Sequence, residues 1–179
     1  MKELFKFIAL ILMMSLSAEQ IEIEKISEKL EKSKNRPPIE SRYKFFYNSI
    51  ALNNGLLPKP SLIGVNSIGS YAYEIDKSVL EEFIDKSTKA EKLYVVEDFD
   101  RSIKFTDGKL IIKFSESQNL EEFAKNNSLE LTSDFSAINT GVFKVQDFFQ
   151  IEKIILNLQA QKNIKEIELN TLNPEIQKR

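Results

Sequence analysis

Lys109-Leu110-Ile111-Ile112-Lys113-Phe114 is the stretch on which the fold turns. Leu110, Ile112 and Phe114 alternate with Ile111 and Lys113, the period of two that gives a strand one apolar face. The elements downstream follow in a clear order. Asn119, with Glu122 three positions on, is placed to cap a helix whose buried side carries Leu120, Phe123 and Ala124 and which ends at Asn126-Asn127. Leu129-Glu130-Leu131-Thr132 alternates as a second strand, and after a loop over 133–139, Gly141-Val142-Phe143-Lys144-Val145 reads as a third. Asp147 with Gln150 repeats the cap, and Ile151, Ile154, Ile155 and Leu158 mark one face of an amphipathic helix. Ile164-Lys165-Glu166-Ile167-Glu168-Leu169 closes the series as a fourth strand.

The expected fold class is therefore α+β, with a ferredoxin-like βαββαβ module over 107–170. Right-handed crossovers put both helices on one face of an antiparallel sheet, above Leu110, Ile112, Phe114, Phe143, Val145, Ile167 and Leu169. The other face then carries Ile111, Lys113, Val142, Lys144, Glu166 and Glu168, two aliphatics ringed by charge. Such a surface suits either a partner or another layer of the same chain, for which residues 41–106 are available.

Earlier segments read as address, spacer and support. Residues 1–18 look like a secretory signal: Lys2 and Lys6 form a short basic stretch ahead of an apolar run, Phe7 to Met14, and Ser15-Leu16-Ser17-Ala18 offers small residues for cleavage. The run is too short to span a bilayer, so a periplasmic or secreted protein with no membrane attachment after cleavage is expected. Residues 19–40 form a Glu/Lys-rich helix with Ile23, Ile26 and Leu30 on one side, then a linker at Asn35-Arg36-Pro37-Pro38. Residues 41–106 are expected as a mostly helical α/β extension. Tyr43, Phe46, Tyr47 and Ile50 give a helix over 41–54, and a second helix covers 77–89. Tyr71 to Ile75 and Leu93 to Val96 read as short strands, and Asp107-Gly108 as a tight hairpin after Ile103-Lys104-Phe105. Residues 171–179 are a polar tail.

Composition narrows the chemistry. A net charge of −2 gives no surplus of positive charge for phosphates, which disfavours nucleic acid. With no histidine and no cysteine there is no Ser-His-Asp system, thiolate metal site or disulfide. Asp98 and Asp100 beside Arg101 have the composition of an acid–base pair or a hard-cation site, but the stretch 97–101 reads more simply as a solvated turn. No acylphosphatase-like Arg–Asn pair is found, and Phe114 and Phe143 fall on the helix side, not on a face where they could stack RNA bases. No enzyme, cofactor or metal is expected.

Four stretches carry a resemblance. Ile111-Ile112-Lys113-Phe114, Leu120-Glu121-Glu122-Phe123-Ala124, Gly141-Val142-Phe143-Lys144-Val145 and Ile164-Lys165-Glu166-Ile167-Glu168-Leu169-Asn170 together resemble the prodomain of subtilisin-type serine proteases. The resemblance implies a module that docks its open sheet face on two helices of the protease and lays its C-terminal tail in the substrate cleft. It puts Ile111, Lys113, Val142 and Lys144 at the docking face, with Glu166 also binding the partner, and Glu168 to Arg179, Asn170 included, in the cleft. It makes Asp134 the acidic cap of a protease helix. No protease domain follows Arg179, so the expected partner is a subtilisin-like protease met in trans, by a chaperone or inhibitor. The alternatives are a periplasmic adaptor with an unrelated protein partner and the front piece of an interrupted protease gene.

Overall fold

The computed structural model describes residues 20–31, 37–53, 66–68, 71–74 and 93–172. The chain divides after Arg36 into two units. The first holds a helix over 20–31 (α1), where the charged helix was expected; Ile26 and Leu30 are buried and Ile23 is half-buried. The signal-like residues 1–18 and the helix expected over 77–89 lie outside the described residues.

The second unit is α+β, built on one sheet. Its elements are α2 (Ile39–Arg42), β1 (Tyr43–Asn53), β2 (Asn66–Ile68), β3 (Tyr71–Glu74), β4 (Leu93–Asp98) and β5 (Ile103–Phe114). There follow α3 (Leu120–Asn126), β6 (Leu129–Phe135), β7 (Thr140–Val145), α4 (Ile151–Gln159) and β8 (Ile164–Leu172). The strands run in the order β2-β3-β1-β4-β5-β7-β6, and β8 is attached to β5. The described ladders are antiparallel.

The helix expected over 41–54 is a correction. Only α2 is helical, a single turn, and Tyr43 onward is an eleven-residue strand. The aromatic run fits both periods, and aromatic side chains favour the pleated surface. Tyr43, Phe45 and Tyr47 sit with the core under α3 and α4, whereas Phe46 packs with a second cluster of Ala51, Tyr71, Leu93, Val95 and Phe105. Among the described residues, the segment before β5 therefore contributes four strands to the sheet and a single helical turn.

A second correction concerns Asp107-Gly108. These residues make no hairpin; β5 runs straight through them, so the division expected at 106/107 falls inside one strand. Gly108 takes φ +79, a backbone state glycine adopts without the Cβ clash of other residues. The register with β8 slips between Thr106 and Leu110, and the Thr106 hydroxyl spans the irregularity, accepting from Gly108 N–H at 3.0 Å and donating to Asn170 O at 2.8 Å. β8 pairs along one side of β5 from Phe105 to Phe114; on the other, β4 pairs up to Thr106 and β7 takes over from Lys109.

The downstream elements follow their sequence signals. Asn119 Oδ1 accepts from Glu122 N–H at 3.1 Å to start α3, and Asp147 accepts from Phe149 N–H at 3.0 Å ahead of α4. Leu110, Ile112, Phe114, Phe143, Val145, Ile167 and Leu169 form one core with Leu120, Phe123, Ile151, Ile155 and Leu158 from the two helices. Gly141 is required by closeness: a Cβ there would come within 2.6 Å of the Phe143 ring and 3.2 Å of Leu120. Among the described residues no helix is long and apolar enough to cross a membrane.

Candidate functional site

Cross-strand register sets the expected docking residues in rows. Ile111 stands opposite Val142 on β7 and Glu168 on β8. Lys113 stands opposite Thr140 and Glu166, and Lys144 opposite Lys109 and Glu130. Asp134 is farther out on β6, opposite Gly141, where its carboxylate accepts from Ser136 N–H at 2.8 Å. Asn170 is in β8, and Arg179 lies outside the described residues.

Three positions in these rows are buried, where the resemblance implied an open face. Ile111 is 2% exposed, Val142 9% and Glu168 4%. Lys144 and Asp134 are exposed, while Lys113, Glu166 and Asn170 are half-buried. Adjacent aliphatics are the surface that folding tends to remove from water, which accounts for the first two. Glu168 is drawn in by an ion pair. The tail is shorter than expected as well: Glu168 to Leu172 belong to β8, held to β5 as far as Phe105.

The partner of Glu168 comes from the segment whose conformation the periodicity misread. Arg42 ends α2, Tyr43 opens β1, and Asp98 ends β4 opposite Tyr43. Arg42 Nη1 donates to Glu168 Oε2 at 2.6 Å, and Nε donates to Asp98 Oδ1 at 3.1 Å. Lys104 Nζ pairs with the other Asp98 oxygen, and Tyr43 OH donates to Glu168 Oε1 at 3.3 Å. Arg42 and Asp98 are only 3% and 2% exposed. Two cations thus face two carboxylates, with Arg42, Asp98 and Glu168 buried and Lys104 half-buried, an arrangement that tolerates burial only while every member is present. Arg42 Nη2 is buried with no hydrogen-bond partner among the described residues.

Electrostatics hold the Asp98 and Arg42 members of this network in their charged forms. Burial alone pushes the Asp98 carboxyl up, but donors from Lys104, Phe99 N–H and Arg42, with the charge of Arg42, outweigh it and hold it below the usual carboxylate range. Burial likewise works against the Arg42 charge, and the nearby Tyr43 and Glu168 more than restore it. A carboxylate so held is a poor proton acceptor near neutrality. Asp100, the other half of the sequence's carboxylate pair, is exposed and accepts from Ser102 N–H at 2.9 Å. It does not join Asp98 in a site, and no group of three potential ligands for a metal occurs among the described residues.

Sequence reasoning missed Arg42 and Asp98 as partners. The available hint was an acid closing the apolar run Leu93–Val96, since a charge at the end of a buried strand needs a counter-ion. That its partner stands 56 positions earlier was not encoded in any local pattern. No protein-family model, curated protein or solved structure matches the chain.

Proposed function

We propose that residues 103–172 are a ferredoxin-like unit of the prodomain type, and that the chain is an exported, non-catalytic protein that binds a subtilisin-like serine protease in trans as chaperone or inhibitor. The observation that carries this reading is the strand order β8-β5-β7-β6, with α3 joining β5 to β6 and α4 joining β7 to β8. The two helices contribute to one core with the strands, the layering this class of module uses. Fold alone hosts many functions, so the partner assignment rests on the sequence resemblance together with this order.

The buried positions revise how such docking works. Ile111, Val142 and Glu168 are internal, so the partner meets the charged margin: Lys113, Lys144 and Glu166, with Asp134 at the helix-capping position. The segment after Leu172 occupies the cleft. Mixing the full chain with subtilisin-type proteases, and following peptide hydrolysis and the yield of refolded protease, tests the idea. Inhibition or assisted refolding is expected, weakened by Lys113→Glu with Lys144→Glu; inhibition is also lost on truncation after Leu172. Absence of inhibition, assisted refolding and a stable complex would refute it.

A second reading, an adaptor for an unrelated protein, is favoured by one observation. The sheet continues past the four-strand unit through β4, β1, β3 and β2, and Arg42 and Tyr43 close on Glu168. If affinity capture by the intact chain returns a single non-protease partner, this reading replaces the first.

A further inference from the structure

Protease docking leaves unused the place where α4 meets β1. Tyr47 of β1 and Phe149, in the 3₁₀ turn leading into α4, stack with ring centroids 5.8 Å apart and planes at 26°. Phe45 adds a third ring, 6.1 Å from Tyr47 at 17°. Phe149 is 58% exposed and Tyr47 half-buried, so the stack reaches the surface. Tyr47 OH donates to Oε2 of the exposed Glu152 at 2.5 Å. Burial and this carboxylate push the phenol up, so Tyr47 remains the donor. The bond holds the carboxylate beside the rings and occupies one of its oxygens, leaving Oε1 for an incoming donor. Neither Glu152 nor Asp147, which caps the turn, is in an ion pair among the described residues. Lys153, next in sequence, borders a cleft with Asn126, the last residue of α3.

From this chemistry we propose that the Tyr47–Phe149–Glu152 surface receives an arginine side chain from a protein partner. A guanidinium is flat and cationic, so its face lies on the Phe149 ring while its edge donates to Glu152 Oε1. Leu156, one turn beyond Glu152 and 54% exposed, extends the apolar surface that the methylene stem covers. Other ligands match the pair of groups less well. An apolar side chain covers the ring but takes the neighbouring carboxylate out of water without a counter-charge. A neutral sugar stacks on the ring and leaves the negative charge of Glu152 and Asp147 unanswered. An ammonium is a strongly hydrated point charge and has no flat face to lay on the ring. This site is independent of any protease partner.

The test is a titration of the full ¹⁵N-labelled chain with the blocked tripeptide acetyl-alanyl-arginyl-alanine amide. Its leucyl counterpart and cellotriose serve as the apolar and sugar controls. The arginyl peptide is expected to shift the backbone amides of Phe149 and Glu152 saturably in the millimolar range, less so as salt is added. Phe149→Ala, at an exposed ring, should weaken binding about two- to fivefold while amide shifts elsewhere stay in place. Glu152→Gln keeps an acceptor for Tyr47 OH and removes the charge; it should weaken binding severalfold and flatten the salt dependence. The proposal fails if the arginyl peptide leaves those amides unmoved at tens of millimolar, if the leucyl peptide or cellotriose moves them as strongly, or if neither substitution alters binding.

Discussion

From Lys109 onward β5 belongs to a core roofed by α3 and α4, while up to Thr106 it belongs to one assembled from strands. In the first, Leu110, Ile112 and Phe114 meet Phe123, Ile155 and Leu158 from helices. In the second, Phe105 meets Ala51, Tyr71, Leu93 and Val95, all of them on strands. Tyr71 and Tyr73 lie 5.2 and 5.8 Å from the Phe105 ring, centroid to centroid. The difference shows that two packing styles can share a single strand when an irregularity lets it exchange one neighbour.

If the shared strand makes the two cores one cooperative unit, Phe143→Ala and Phe105→Ala should each remove about 3–5 kcal/mol. Both should shift a single transition followed by circular dichroism and by tyrosine fluorescence in denaturant. Two midpoints would break the comparison and separate the cores. Next in size, Asp98→Asn should cost about 3 kcal/mol by leaving Arg42 and Lys104 short of a counter-charge. The folded pKa of Asp98 is depressed, so its stabilisation is fully present above the unfolded value of about 3.9 and is lost as pH falls through the lower folded value. The Asp98→Asn protein should lack that part of the acid-side decline in urea midpoints; an unchanged acid limb would remove Asp98 from the network.

Smaller effects sharpen the contrast. Gly141→Ala drives a methyl into the Phe143 ring and should cost about 1–3 kcal/mol in thermal melts. Gly108→Ala meets Phe148 only at 3.4 Å, so its penalty, about 1–2 kcal/mol, comes from the positive φ. Asn119→Ala removes the cap on Glu122 N–H and should cost about 1 kcal/mol, read as faster amide exchange at the start of α3.

The contrast also explains which half could be read in advance. Around α3 and α4 the period changes from two to 3.6 and back, with Asn119 and Asp147 at the changes, so both element type and buried face are legible. Upstream, Tyr43, Phe46, Tyr47 and Ile50 satisfy helical spacing while Tyr43, Phe45 and Tyr47 satisfy alternation, and only the neighbouring strand β4 decides between them. Asp107-Gly108 was legible as a special backbone position but not as a bulge, because the choice depends on β8 arriving from more than sixty residues later, at Thr171 and Leu172. For the candidate site, period two put Ile111 and Val142 on one face. It carried no information about whether that face is covered.

The continuous run of β8 beside both lengths of β5 has a mechanical consequence. Tension on the chain after Leu172 is borne first at the Phe105–Leu172 rung, inside the strand-built cluster, and only then at the rungs under the helices. A pull from that end therefore loads both cores in series, beginning with the one farther from α3 and α4.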